Sequence, residues 1–213
     1  MLREFSANEE SWKRFLGKML EVLAVLTEVR VVHSDLKPDN ILVTTDENSR
    51  FDSLKVIDFG SAFNYDGSGS LSTATPEYMP PEALSFLGKA GDHITQLKEV
   101  DHPWSFDIWS LGMIWLELIS GFPLWMSLKC KVTSRGRTVT SKGLLAVQGR
   151  DSQLILREQR SVIGSLNEVV GRGVGLQIDT AGVDLLTQML QWEPSNRISP
   201  VEALSHQYVR LST

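Results

Sequence analysis

Trp12, Phe15, Leu16, Met19, Leu23, Leu26 and Val29 recur at the three- and four-residue spacing of one helix face, predicting a helix over about residues 9–30. Ser6 followed by Glu9 fits a capping box at its start. The next run, "VVHSDLKPDNIL" (31–42), is apolar except for a charged cluster. Neither a buried strand nor a buried helix tolerates unpaired charge, so Asp35, Lys37 and Asn40 read as a loop with a chemical task. "ILVT" and "LKVI", β-branched and separated by the polar "TDENSRFDS", predict a two-stranded ribbon. Residues 58–82 carry Gly67, Gly69, several serines and three prolines, and predict a long ordered loop. "FDIWSLGMIWLELISG" is apolar on nearly all sides, which predicts a helix inside a mostly helical body. Its Trp109, Leu111, Met113, Ile114, Trp115 and Leu118 need apolar neighbours all round, so residues 106–120 should be the most buried element. Residues 127–149 are polar and basic and read as a loop or insertion, followed by more helix. Two short helices are expected at 181–191 and 200–206, separated by "WEPSNR". The pattern describes one helix-rich domain, α+β but mainly α, with a small ribbon at an edge and no linker.

Composition narrows the partners. A chain of 213 residues can bury a sizeable core, and 42% apolar with 22% charged residues is ordinary for a globular protein. The net charge of −5 and pI near 5.4 argue against nucleic acid as the main partner. Cys130 is the sole cysteine, which excludes an internal disulfide framework and suits a reducing, intracellular setting, cytoplasmic or nuclear. The start, "MLREFSANEESWKR", has no apolar segment of the secretory kind. The most apolar stretch, 108–126, is broken by Glu117 and Pro123, so it reads as buried and a membrane is not expected as a partner.

The loops carry the chemistry. Asp35 lies five residues before Asn40, and Asp58 opens "DFG" after the ribbon. Carboxylate and amide oxygens are hard ligands suited to Mg²⁺, which keeps several waters and also takes phosphate oxygens. Lys37 places a positive charge near Asp35, where a transferring phosphoryl group carries negative charge. Asp35 can then accept a hydroxyl proton while Asn40 and Asp58 hold metal, which is what phosphoryl transfer asks of a protein. His33 reads as a packed, hydrogen-bonded support for the loop. The basic residues from Lys129 to Arg150, with no acid among them, read as a solvated insertion. His93 and His102 lack the cysteine or third close histidine that a metal site there would need.

"HSDLKPDN", "VIDFG", "TPEYMPPEAL", "DIWSLG" and "NRISPVEAL" follow one another in an order that resembles the C-terminal lobe of a eukaryotic-type serine/threonine protein kinase. The likeness runs over about residues 9–209. It implies a helical bundle around a buried central helix, with a small β-ribbon at the catalytic loop. It also implies that residues 1–213 are a partial kinase domain, with catalytic loop 33–40, activation segment 58–82 and a basic polar insertion at about 127–150. ATP and Mg²⁺ would be its cofactors and a protein its substrate. By this resemblance Asp35 is the catalytic base, Lys37 contacts the γ-phosphate, and Asn40 and Asp58 ligate Mg²⁺. Thr75 belongs to the substrate-binding segment and, with Lys37, to the serine/threonine pattern. "PPE" stands where the family has Ala-Pro-Glu. Glu82 should pair with Arg197 in a buried ion pair, and Asp107 should brace the catalytic loop.

Two departures stand out. Ser34 replaces the arginine that usually precedes the base and pairs with an activation-loop phosphate. The N-terminal lobe that covers ATP needs roughly 60–80 residues at ordinary element lengths, and only 32 precede His33. No Gly-x-Gly-x-x-Gly is present, "GRGVG" at 171–175 has the wrong spacing, and Lys55 on the ribbon is not the third-strand lysine. The chain therefore reads as a truncated kinase with weak or no activity by itself. The alternative is a non-catalytic half-kinase that binds a partner protein on the surface the missing lobe would cover. Lys37 and "TPEYMPPE" argue against a small-molecule phosphotransferase. With no arginine at position 34, changing Ser68, Ser70, Ser72 and Thr73 together to alanine should leave the complete enzyme's radiolabel transfer within a few-fold. Loss by orders of magnitude refutes this.

Overall fold

The computed structural model describes residues 8–69, 71, 75–86, 89, 91–98, 102–121, 129–134, 137–142 and 152–210. Helix α1, Glu9–Glu28, buries Trp12, Phe15, Leu16, Met19, Leu20 and Leu23 along one stripe. Its N-cap is Asn8 rather than Ser6, which lies outside the described residues. Asn8 Oδ1 accepts the N–H groups of Glu10 at 2.9 Å and Ser11 at 3.3 Å. Val29, expected on the buried stripe, lies past the helix end and is exposed.

A two-residue strand β1, Val31–Val32, leads into the loop at 33–37 and a 3₁₀ turn, Pro38–Asn40. Strands β2, Ile41–Thr45, and β3, Phe51–Val56, form the expected antiparallel ribbon, in register from Ile41↔Val56 to Thr44↔Ser53. Another 3₁₀ turn, Phe59–Ser61, follows, and then β4, Phe63–Asn64, returns to pair with β1. The stretch read as a long loop therefore contains a 3₁₀ turn and a strand too short to give a periodic signal. A third 3₁₀ turn, Pro76–Tyr78, precedes the short helices α2, Pro81–Leu84, and α3, His93–Lys98.

Helix α4, Ser105–Ser120, is the centre of the body, as its pattern predicts: every residue in it except Glu117 is buried. Where a loop or insertion was expected, residues 129–142 include an antiparallel hairpin, β5, Lys129–Ser134, with β6, Arg137–Lys142. The β-branched Val132, Thr133, Thr138, Val139 and Thr140 supply strand preference there despite the polar composition. Positions 143–150 of that insertion lie outside the described residues. Among the described residues that follow are five α-helices: α5, Ser152–Gly164; α6, Leu166–Arg172; α7, Thr180–Met189; α8, Pro200–Leu204; and α9, Gln207–Arg210. Ser199 and Glu202 form a reciprocal capping box on α8. Among the described residues no helix is long and apolar enough to cross a membrane.

The core is one cluster threaded by aromatic rings. Trp115 on α4 lies 5.7 Å from Trp12 on α1 and 5.2 Å from Tyr208 on α9, while Phe15 meets Phe51 of the ribbon edge-on at 5.7 Å. Such pairs add about 0.5–1.5 kcal/mol each beyond the area they bury. At the N-terminal end of α4, Arg197 forms a two-pronged ion pair with Glu82, at 2.6 and 2.7 Å. Its remaining donors reach the carbonyls of Gln191, Trp192 and Ser105, and its guanidinium lies 4.8 Å from the Trp109 ring. Removing one partner of such a pair leaves a charge without compensation, at about 3–5 kcal/mol.

The other end of α4 gives "GRGVG" its place. Gly121 ends the helix in a left-handed conformation, and the N–H groups of Gly175 and Leu176 reach the carbonyls of Ile119 and Leu118, each at 2.9 Å. A Cβ on Gly175 would collide with the Leu118 carbonyl oxygen. Gly175→Ala should therefore cost about 2–4 kcal/mol in urea denaturation. A loss below about 0.5 kcal/mol, the level of an ordinary surface change, removes this role.

Candidate active site

Asp107, on the first turn of α4, sits almost fully buried beneath the loop at 33–37. Its two carboxylate oxygens accept the backbone N–H groups of His33 at 2.7 Å and Ser34 at 3.0 Å. Burial pushes its carboxyl up to about 6, opposed by these hydrogen bonds. The imidazole of His33 is fully buried and bridges two segments. Nε2 meets the Ile57 carbonyl at 3.0 Å, and Nδ1 accepts the Asp35 N–H at 3.3 Å. Together these contacts select the tautomer protonated on Nε2, which makes His33 a structural support.

Four of the expected site residues meet directly. Asp35 is 6% exposed. Its Oδ1 accepts the Thr75 N–H at 2.8 Å and the Thr75 hydroxyl at 2.6 Å, and its Oδ2 accepts Lys37 Nζ at 2.7 Å. Lys37 Nζ also reaches Thr75 Oγ1 at 2.9 Å. Asn40 Nδ2 donates to the Asp35 carbonyl at 2.8 Å and more distantly to Oδ2 at 3.3 Å. Burial alone would raise the Asp35 pKa. The hydrogen bonds from Lys37 and Thr75, with the Lys37 charge, outweigh it and hold the carboxyl below its usual value.

Asp58 arrives by another route. The register Ile41↔Val56 and the bond from Ile57 N–H to the Asn40 carbonyl, 2.9 Å, carry it to the Asn40 end of the ribbon. It is exposed and left-handed, with φ 62°, and accepts the Gly60 N–H at 3.3 Å. A Cβ on residue 60 would lie 3.1 Å from that carboxylate oxygen, so glycine suits the tight turn. Glu82 and Arg197 stand apart from this cluster as the ion pair described above.

Several positioning contacts carry no sequence signal. Tyr78 donates to Glu117 Oε2 at 2.7 Å, while Ser110 and Gln159 donate to the carbonyls of Tyr78 and Met79 at 2.8 and 2.9 Å. They fasten the segment that presents Thr75. Glu77, within the quoted "TPEYMPPE", lies in the fields of Lys37 and Asp35, and burial raises its carboxyl pKa. Among the described residues no three His, Cys, Asp or Glu side chains converge as a metal cage. Ser70, Ser72 and Thr73 lie outside the described residues.

The protein kinase domain family matches residues 1–209, and the chain belongs to that family. It is 29% identical to the dual specificity tyrosine-phosphorylation-regulated kinase mbk-2 of Caenorhabditis elegans, over 93% of this chain and 26% of that protein. The dual specificity tyrosine-phosphorylation-regulated kinase 2 of Drosophila melanogaster is 29% identical, over 94% and 27%. The mitogen-activated protein kinase 7 of Arabidopsis thaliana is 30% identical, over 96% and 52%. The chain thus spans between 26% and 52% of the length of these relatives.

The lowered Asp35 pKa fixes a sign. Its contribution to stability is present above the unfolded carboxylate value of 3.8 and lost as pH falls through the lower folded value. The stability advantage of the wild type over Asp35→Asn, read by urea denaturation, should shrink between pH 6 and pH 3. An advantage that grows on acidification contradicts the assignment.

Proposed function

We propose that this chain is the C-terminal, catalytic-loop lobe of a serine/threonine protein kinase, which transfers the γ-phosphoryl group of ATP to a serine or threonine hydroxyl of a protein. The observation that supports this most is the setting of Asp35: almost buried, kept ionised, and in contact with a lysine, an amide and a threonine hydroxyl. In this reading the substrate oxygen bonds to the γ-phosphorus as the bond to the bridging oxygen breaks, its electron pair leaving on ADP. Asp35 takes the hydroxyl proton. Lys37 offsets charge on the transferred group, and Thr75 holds the substrate-binding segment in register with Asp35. His33 and Asp107 fix the loop from below, and Glu82 with Arg197 braces the body.

Asn40 and Asp58 offer the hard oxygens that Mg²⁺ prefers, and two protein ligands suit an ion that completes its shell with phosphate and water. They would hold Mg²⁺, which supplies neutralising charge to the phosphate oxygens. Leu42 and Phe59, 49% and 46% exposed, flank these two residues in the chain. An apolar cover over them, from further polypeptide or a partner protein, would exclude water from bound nucleotide. The same exposure favours a second reading, a non-catalytic half-kinase module that binds a partner there. The sole cysteine supports a cytoplasmic or nuclear setting for either.

Residues 1–213 alone should bind Mg·ATP poorly and transfer radiolabelled phosphate negligibly. Joined to a glycine-rich nucleotide-binding lobe they should transfer it, and Asp35→Asn should then lower the rate at least about 10²-fold. Robust Asp35-dependent transfer by the 213-residue chain shows the cover to be dispensable. A covered chain whose transfer ignores Asp35 leaves the binding module standing.

A further inference from the structure

Ser34 has no part in the chemistry above, yet its geometry is specific. It is 2% exposed and has φ 62°, in the left-handed region that a side chain disfavours. Its N–H is committed to Asp107, and its hydroxyl donates across 27 residues to the Ser61 carbonyl at 2.7 Å. Ser61 closes the 3₁₀ turn that starts immediately after Asp58, and the Ala62 N–H bonds to the Phe59 carbonyl at 3.1 Å. On the other side of Asp58, His33 holds the Ile57 carbonyl at 3.0 Å, and its ring lies 4.7 Å from that of Phe59. Two consecutive loop residues thus grip the chain before and after Asp58, and Asp107 holds the backbone of both.

We propose that Ser34 is a positioning residue that sets Asp58 through the Ser61 carbonyl, without touching substrate itself. This rests on the assignment of Asp58 to Mg²⁺. Glycine at position 34 would relieve the left-handed backbone; a serine there keeps the strain and gains the hydroxyl that spans to the turn. The anchor is built into the chain, so the turn bearing Asp58 owes its place to a hydroxyl and not to an added group.

Two variants separate backbone from hydroxyl. Ser34→Ala keeps the strained backbone and removes the donor, whereas Ser34→Gly removes both strain and donor, so folding is retained in at least the second. Amide exchange at Gly60 and Ala62, read by NMR against the amides of α4, should quicken about tenfold in both variants while α4 is unchanged. In the chain joined to a glycine-rich nucleotide-binding lobe, Mn²⁺ affinity in the presence of ATP, read by electron paramagnetic resonance, should weaken by about five- to tenfold. Unchanged exchange in both variants overturns the anchor. Faster exchange with unchanged Mn²⁺ affinity overturns the positioning role. Wild-type Mn²⁺ binding no tighter than that of Asp58→Ala defeats the metal assignment instead, and exchange at Gly60 and Ala62 then decides the anchor by itself.

Discussion

A single buried carboxylate holds the site to the body. Asp107 belongs to the helix at the centre of the core, and its two oxygens take the N–H groups of two successive loop residues. Everything polar above it inherits that attachment: His33 reaches Ile57, Ser34 reaches Ser61, and Asp35 is presented to Lys37, Asn40 and Thr75. Burying a charge is costly, and the raised Asp107 pKa records part of that cost. The arrangement persists because both oxygens are satisfied by backbone donors that would otherwise be orphaned.

The two ends of the central helix solve different problems. At its N-terminal end Arg197 gathers α2, α4 and the turn before α8 around one guanidinium, whose planar fork suits several acceptors at once. At its C-terminal end the backbone N–H groups of Gly175 and Leu176 meet carbonyls that the helix leaves open. The helix is thus a fixed post rather than merely an apolar cylinder. Left-handed residues occur in the candidate site, at Ser34 next to Asp35 and at Asp58 itself, where the surrounding hydrogen bonds can over-determine the strain.

Long periodic elements were legible in the sequence: the stripe of α1, the β-branched pair of the ribbon, and the all-round apolar α4. The cluster Asp35, Lys37 and Asn40 was legible as polar residues in an apolar run, and Thr75 through motif order. The Asn8 cap was missed because Ser6 and Glu9 offered a competing box two residues earlier. The pairing of β1 with β4 spans only two residues on each side, too few for alternation to register. The hairpin at 129–142 was hidden by counting charge ahead of β-branching. The bond from Ser34 to Ser61, the field at Glu77 and the use of Gly175 depend on chain crossings, and no local pattern encodes those.

The separations between bonded partners carry a consequence for biosynthesis. Asp107 is 74 residues downstream of His33, and Arg197 is 115 residues downstream of Glu82. On a ribosome the loop at 33–37 emerges several seconds before the carboxylate that seats it, at about 5–20 residues per second. Glu82 waits longer still for its cation. During that interval the loop has no floor, and the apolar stripe of α1 has not yet met Trp115 or Tyr208. These contacts become available only once Arg197 and Tyr208 have been made. Slow docking of the C-terminal helices, more than any local step, should govern how much of the newly made chain escapes aggregation.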